Sequence, residues 1–91
     1  MDFRVALGHT IRLKRLQQRK TMRDLANFIS VGYVSEIERG VNNPSSEILE
    51  KVAQALSVEV YELIRDTATL MENFEKLSPS DFRKEYTDLR R

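Results

Sequence analysis

Ser30-Val31-Gly32-Tyr33-Val34-Ser35-Glu36-Ile37-Glu38-Arg39-Gly40 spells out a short helix with both of its ends marked. Ser30 is an N-cap, because its hydroxyl can accept from a first-turn N–H that has no partner inside the helix. Gly40 stands where a helix ends in the left-handed conformation, a position that favours a residue without a Cβ. Val34 and Ile37 lie three apart on one face and dock the helix onto a core. Val31, Gly32, Ser35 and Glu36 are left on the opposite face. So short a helix is not stable alone, and the rest of the chain must supply what it packs on.

Upstream, Thr21 precedes Met22-Arg23-Asp24, an N-cap with an acidic residue three positions on, which is a capping-box arrangement. Leu25, Ala26 and Phe28 form the apolar side of a short second helix. Val5, Leu7, Ile11, Leu13 and Leu16 fall mostly at three- and four-residue spacings and make the first helix. Downstream, Val41-Asn42-Asn43-Pro44 reads as a loop. Ser45 or Ser46 caps a fourth helix buried at Ile48, Leu49, Val52, Ala53 and Leu56. Val58, Val60, Leu63 and Ile64 belong to a fifth, ending or bending near Asp66. Leu63, Thr67, Leu70, Phe74 and Leu77 then continue a heptad-like stripe. Ser78-Pro79-Ser80-Asp81 is a stop and restart, with Phe82, Tyr86 and Leu89 along a final helix. The fold class is all-α.

Composition narrows the function. The 91 residues form one small domain with an appendage, 41% hydrophobic and therefore too apolar for a disordered chain. Without Cys there is no disulfide, no Cys-ligated zinc and no thiol nucleophile, and one His leaves little for a metal site or triad. No metal or other cofactor is expected. No apolar run is long enough for a membrane span, and the expected location is the cytoplasm. Net charge is only +1, yet residues 1–23 carry seven basic side chains against Asp2 alone, while residues 41–91 are net acidic. A basic end suggests a polyanion partner.

Leu7-Gly8, Ile11-Arg12, Arg15, Thr21, Leu25-Ala26, the Ser30–Gly40 string, Pro44-Ser45, Leu49, Val52-Ala53 and Leu56 occur in the order found in one family. Over residues 5–64 the chain resembles the Cro/C1-type (XRE) helix-turn-helix regulators of bacteria and phages. Gly32 to Gly40 is most similar to the ClgR-like subgroup. The resemblance implies a five-helix, lambda repressor-like domain over residues 1–65. Residues 66–91 are then a helical extension for dimerisation, through Leu70, Phe74, Leu77, Phe82 and Tyr86.

The function implied is a sequence-specific, double-stranded-DNA-binding transcriptional regulator, a homodimer on a pseudo-palindromic operator. In such a domain the Ser30–Arg39 helix enters the major groove. Val31, Gly32, Ser35 and Glu36 are then the base-reading candidates, with Val31 suited to a thymine methyl and Glu36 to a cytosine amino group. Thr21, Arg23, Tyr33, Arg39, Asn42 and Asn43 flank that helix and are the phosphate-binding candidates, with Arg19 and Lys20 behind them. Glu38 is a scaffold residue bonded to Arg15 or Arg12. The alternative is an antitoxin-type or restriction–modification controller protein of the same fold, whose tail, residues 66–91, binds a protein partner.

Asn27, Phe28 and Ile29 alone separate Ala26 from Ser30, two fewer residues than the family pattern, and the turn lacks its Gly. Two residues are about 200° of helix rotation, so the second helix ends early or the turn tightens. Asn27 is the residue best able to adopt a left-handed conformation. Ile29 takes the slot usually held by Val. Other features have simpler readings. His9 is a surface residue of the first helix, and Glu47, Glu50, Glu59 and Glu62 coat a solvated face.

Overall fold

A computed structural model describes residues 1–76. Four α-helices and one 3-10 turn follow in order: α1 (Phe3–Gln17), the turn (Met22–Leu25), α2 (Val31–Glu38), α3 (Ser46–Ala55) and α4 (Val60–Lys76). The starts of the first three α-helices and of the turn each have a local chemical cause. Asp2 caps α1 by accepting from the Arg4 N–H, Ser30 caps α2 from Tyr33, and Ser45 rather than Ser46 caps α3 from Ile48. At the 3-10 turn the capping box is complete, with Thr21 accepting from the Asp24 N–H and Asp24 accepting from the Thr21 N–H.

Two expectations are corrected. The second helix is a four-residue 3-10 turn in which Leu25 alone is buried, while Ala26 and Phe28 are exposed. The missing residues of the connection are absorbed by ending the helix early. Asn27 keeps a negative φ, and Ile29 enters the core instead. The predicted end or bend near Asp66 is also absent, since α4 runs unbroken from residue 60 to 76. The count is thus four α-helices and one 3-10 turn, not five helices, over the described residues. Lys14 explains the continuity: its ammonium pairs with Asp66 at 2.6 Å, tying the middle of α4 to α1.

The core gathers Leu7 and Ile11 of α1, Leu25, Ile29, Val34 and Ile37 of α2, Val52, Ala53 and Leu56 around α3, and Leu63 of α4. Each fully buried Leu or Ile contributes about 1.5–3 kcal/mol relative to leaving it exposed. The α4 stripe also reaches this core. Thr67 is fully buried and shares its hydroxyl proton between the Leu63 carbonyl (2.6 Å) and Thr10 Oγ1 (3.1 Å). A polar residue on an apolar stripe is therefore satisfied rather than exposed.

Three helices end in the same way, with paired backbone bonds closing over a residue at positive φ. At α2 this is Gly40 (φ 75°). At α1 and α3 it is Arg19 (φ 57°) and Ser57 (φ 55°), where a Cβ costs on the order of 1 kcal/mol. The residues on either side of Arg19 add bonds there: Gln18 Nε2 and Lys20 Nζ donate to the Leu56 and Ala55 carbonyls at the end of α3 (2.7 and 2.9 Å).

Candidate nucleic-acid interface

The orientation of α2 is set by its inner face. Val34 and Ile37 are each 1% exposed. Between α1 and α2, Arg15 and Glu38 make a two-pronged ion pair, Nε to Oε2 at 2.7 Å and Nη2 to Oε1 at 3.0 Å, both residues buried. Of the two partners open to Glu38, the structure selects Arg15. A third donor of the same guanidinium reaches the Lys20 carbonyl at 2.8 Å, so one planar fork ties α1, its following loop and α2. Gly8 lets the helices meet closely, since a Cβ there would sit 2.4 Å from the Ile37 carbonyl oxygen.

What remains outward is the predicted face. Val31 and Gly32 are exposed, and Ser35 and Glu36 are half-buried. A Cβ at Gly32 would meet nothing within 4 Å, so the first turn of α2 presents open space and unshielded backbone. Its capped N-terminus also carries the positive end of the helix dipole. Around this face Thr21, Arg23, Arg39 and Asn43 are exposed. Tyr33 is half-buried against the core, and Asn42 is half-buried with its amide donating to Glu36 Oε2. The Thr21 hydroxyl and N–H are both engaged in the capping box, and the Thr21 backbone bond holds the Asp24 carboxyl below the usual carboxylate range.

The basic end is less available than its charge suggests. Lys14 is paired with Asp66, Arg15 with Glu38, and Lys20 caps α3. Burial between helices is invisible in a charge count, and no local spacing signals any of the three. The hydrogen bond from Lys14, ahead of that from Arg65, also keeps the Asp66 carboxyl low.

His9 is half-buried rather than on the surface, and burial, with Arg12 adding repulsion, lowers its imidazole pKa from the ordinary 6.5. The unfolded chain then binds a proton more readily than the folded one. His9 therefore leaves stability at its maximum above pH 6.5 and removes it as pH falls through that value toward the folded pKa. Urea melts from pH 7.5 to 5 will show a falling midpoint, and His9→Gln will flatten that fall. A midpoint falling as steeply in His9→Gln would assign the effect elsewhere.

Of the predicted dimer residues, Leu70 and Phe74 are half-buried on α4, while Leu77, Phe82 and Tyr86 lie outside the described residues. A groove of about 240 Å³ runs between α1 and α4, lined in part by Leu13, Lys14, Gln17, Asp66 and Leu70. No helix among the described residues is long and apolar enough to cross a membrane.

A capped, outward-facing helix on an all-helical core, preceded by a capped turn, is a helix-turn-helix arrangement, and the profile of the helix-turn-helix family matches residues 11–63. The chain belongs to this family, the Cro/C1-type (XRE) transcriptional regulators. The transcriptional regulator ClgR of Mycobacterium tuberculosis is 35% identical over 77 residues, which cover 82% of this chain and 69% of that protein. The regulator SlrR of Bacillus subtilis is 43% identical over 75 residues, 79% of this chain and 47% of that one. The crystal structure of the clp gene regulator ClgR from Corynebacterium glutamicum superposes with a TM-score of 0.74 at 38% identity, covering 79% of each chain. The resemblance to ClgR-like helix-turn-helix proteins therefore holds in sequence and in fold, and these relatives are transcriptional regulators rather than enzymes.

Proposed function

We propose that this helix-turn-helix protein is a sequence-specific double-stranded-DNA-binding transcriptional regulator acting in the cytoplasm. It works as a homodimer whose two α2 helices read a pseudo-palindromic operator in major grooves roughly 34 Å apart. The observation that carries this reading is the outer face of α2. It is exposed at its N-terminal end and held rigidly from behind by Val34, Ile37 and the Arg15–Glu38 pair. Val31, Gly32, Ser35 and Glu36 meet base edges. Thr21, Arg23, Tyr33, Arg39 and Asn43 meet phosphates.

The DNA-binding domain expected over residues 1–65 also draws Asp66 and Thr67 of α4 into its packing on α1, and within the expected extension, residues 66–91, dimerisation uses Leu70, Phe74, Leu77, Phe82 and Tyr86. One copy of this face offers a thymine-methyl contact and two small polar groups but no amide for bidentate adenine recognition, which is why two copies are needed. The direct test is light scattering of the free protein, followed by gel shift with duplexes from its own upstream region. A dimer that shifts one duplex at physiological salt is the expected result. A monomer that stays monomeric on DNA would end the dimer reading.

The two exposed arginines give a sharper test. Each phosphate contact displaces condensed counterions, so the logarithm of affinity falls with the logarithm of salt by about 0.9 per contact. Arg23→Ala and Arg39→Ala will each weaken binding to all duplexes alike and lower that slope by about one. Either variant that changed base preference but left the slope intact would belong to the reading face.

A further inference from the structure

Asn42 lies six positions after Glu36, yet their side chains meet. Gly40 turns the chain back at φ 75°, its N–H donates to the Ile37 carbonyl at 3.0 Å, and the Val41 N–H donates to the Glu36 carbonyl at 3.1 Å. This closure returns residue 42 beside the outer face of α2, where Asn42 Nδ2 donates to Glu36 Oε2. A carboxylate only accepts, so the amide nitrogen must be the donor. Asn42 was expected at a phosphate, and one of the two N–H donors of its amide is directed at the reading helix.

We infer that Asn42 positions the Glu36 carboxylate for base recognition, so that Oε1 accepts a hydrogen bond from the exocyclic amino group of a cytosine in the major groove. The inference rests on the DNA-reading role proposed above. Side chains on a helix lean toward its N-terminus, and an untethered glutamate would spread over several rotamers. The bond to Asn42 restricts the carboxylate and orders it before DNA arrives. The amide adds no charge, so the pair keeps a full negative charge. That charge repels the acceptors of guanine and thymine. Adenine presents its amino group beside the N7 acceptor, whereas cytosine presents a donor alone. One turn before Glu36 on the same helix, the open space at Gly32 leaves room for the base edge.

The test measures affinity of the full chain, at one salt concentration, for duplexes carrying each base pair at each operator position. The operator is first selected from a random duplex pool by the unmodified chain. Glu36→Gln will abolish cytosine preference at one position in each half-site. Asn42→Ala will reduce that same preference roughly tenfold and leave the salt slope unchanged. The double variant will discriminate no worse than Glu36→Gln alone, because both act through one carboxylate. Asn42→Leu, of similar size but without the donor, will repeat the result, with thermal melts confirming that each variant folds. The inference is overturned if Asn42→Ala weakens all duplexes alike and lowers the slope by one, as a lost phosphate contact would. It is overturned equally if the two substitutions act at different positions or add independently. A chain that selects no duplex from the pool would instead refute DNA reading itself, a result distinct from any change in preference.

Discussion

Glu38→Ala will cost the domain about 3–5 kcal/mol, the usual penalty for leaving a buried charge without its partner. Arg15 and Glu38 are 7% and 5% exposed, so both charges of this two-pronged contact are largely withdrawn from solvent. The guanidinium would keep its bond to the Lys20 carbonyl but lose both prongs to the carboxylate. A small domain holds only about 5–15 kcal/mol in total, so the variant will be partly unfolded at growth temperature. The double replacement Arg15→Met with Glu38→Leu removes both charges and keeps similar volume. It will recover most of the loss, because the desolvation cost disappears along with the attraction. Urea unfolding followed by circular dichroism measures both. A single-variant loss below 1 kcal/mol would mean that the guanidinium finds solvent when the carboxylate is gone.

The second large effect lies one helix face away. In Gly8→Ala the new Cβ would stand 2.4 Å from the Ile37 carbonyl oxygen and 2.8 Å from that of Glu38. Both obstacles are backbone, which cannot rotate aside as a side chain would, so α1 and α2 must move apart. Overpacking of this kind costs about 1–3 kcal/mol, and the helix-propensity gain of Ala over Gly, about 1 kcal/mol, offsets only part. A net loss of about 1 kcal/mol, reaching about 2 if α1 and α2 cannot readily move apart, is expected. Because α2 carries the reading face, DNA affinity will fall further than stability alone explains. Gly32→Ala is the internal control. Its Cβ meets nothing, so it will stabilise α2 and report whether the groove tolerates a methyl group there. Equal stability of Gly8→Ala and the unmodified chain would show that the interhelical contact is looser than these distances imply.

How far the fold was legible follows from how local its causes are. The caps at Thr21 and Ser30 and the turn at Gly40 need only residues within three or four positions and were readable, whereas the sequence left the cap of α3 open between Ser45 and Ser46. The capping box at Thr21 said where the second element starts but not that it would be a single 3-10 turn. That outcome depends on Ile29 reaching the core across a shortened connection, which is a tertiary event. Asn27 carried the local signal for a left-handed residue, and packing put that conformation at Arg19 and Ser57 instead. The unbroken α4 had the same kind of cause, since Asp66 looked like a helix end until Lys14 of α1 was beside it. At the interface, the outward set on α2 came directly from the spacing of Val34 and Ile37. The availability of the basic residues did not, because nothing in a sequence marks Lys20 as the cap of a helix that begins 26 positions later. The bond between Asn42 and Glu36 was equally hidden, although a Gly at the end of the helix is what makes such a return possible.

The contact between Thr10 and Thr67 has a consequence for how the molecule comes into being. α1 is synthesised well before the partners that close it, since Asp66 and Thr67 follow Lys14 and Thr10 by 52 and 57 residues. Until translation has passed that point, Leu7 and Ile11 lack the cover that Leu63 gives them. A chain cut before residue 66 loses both contacts at once, so limited proteolysis will cleave α1 of such a truncation faster than α1 of the full chain.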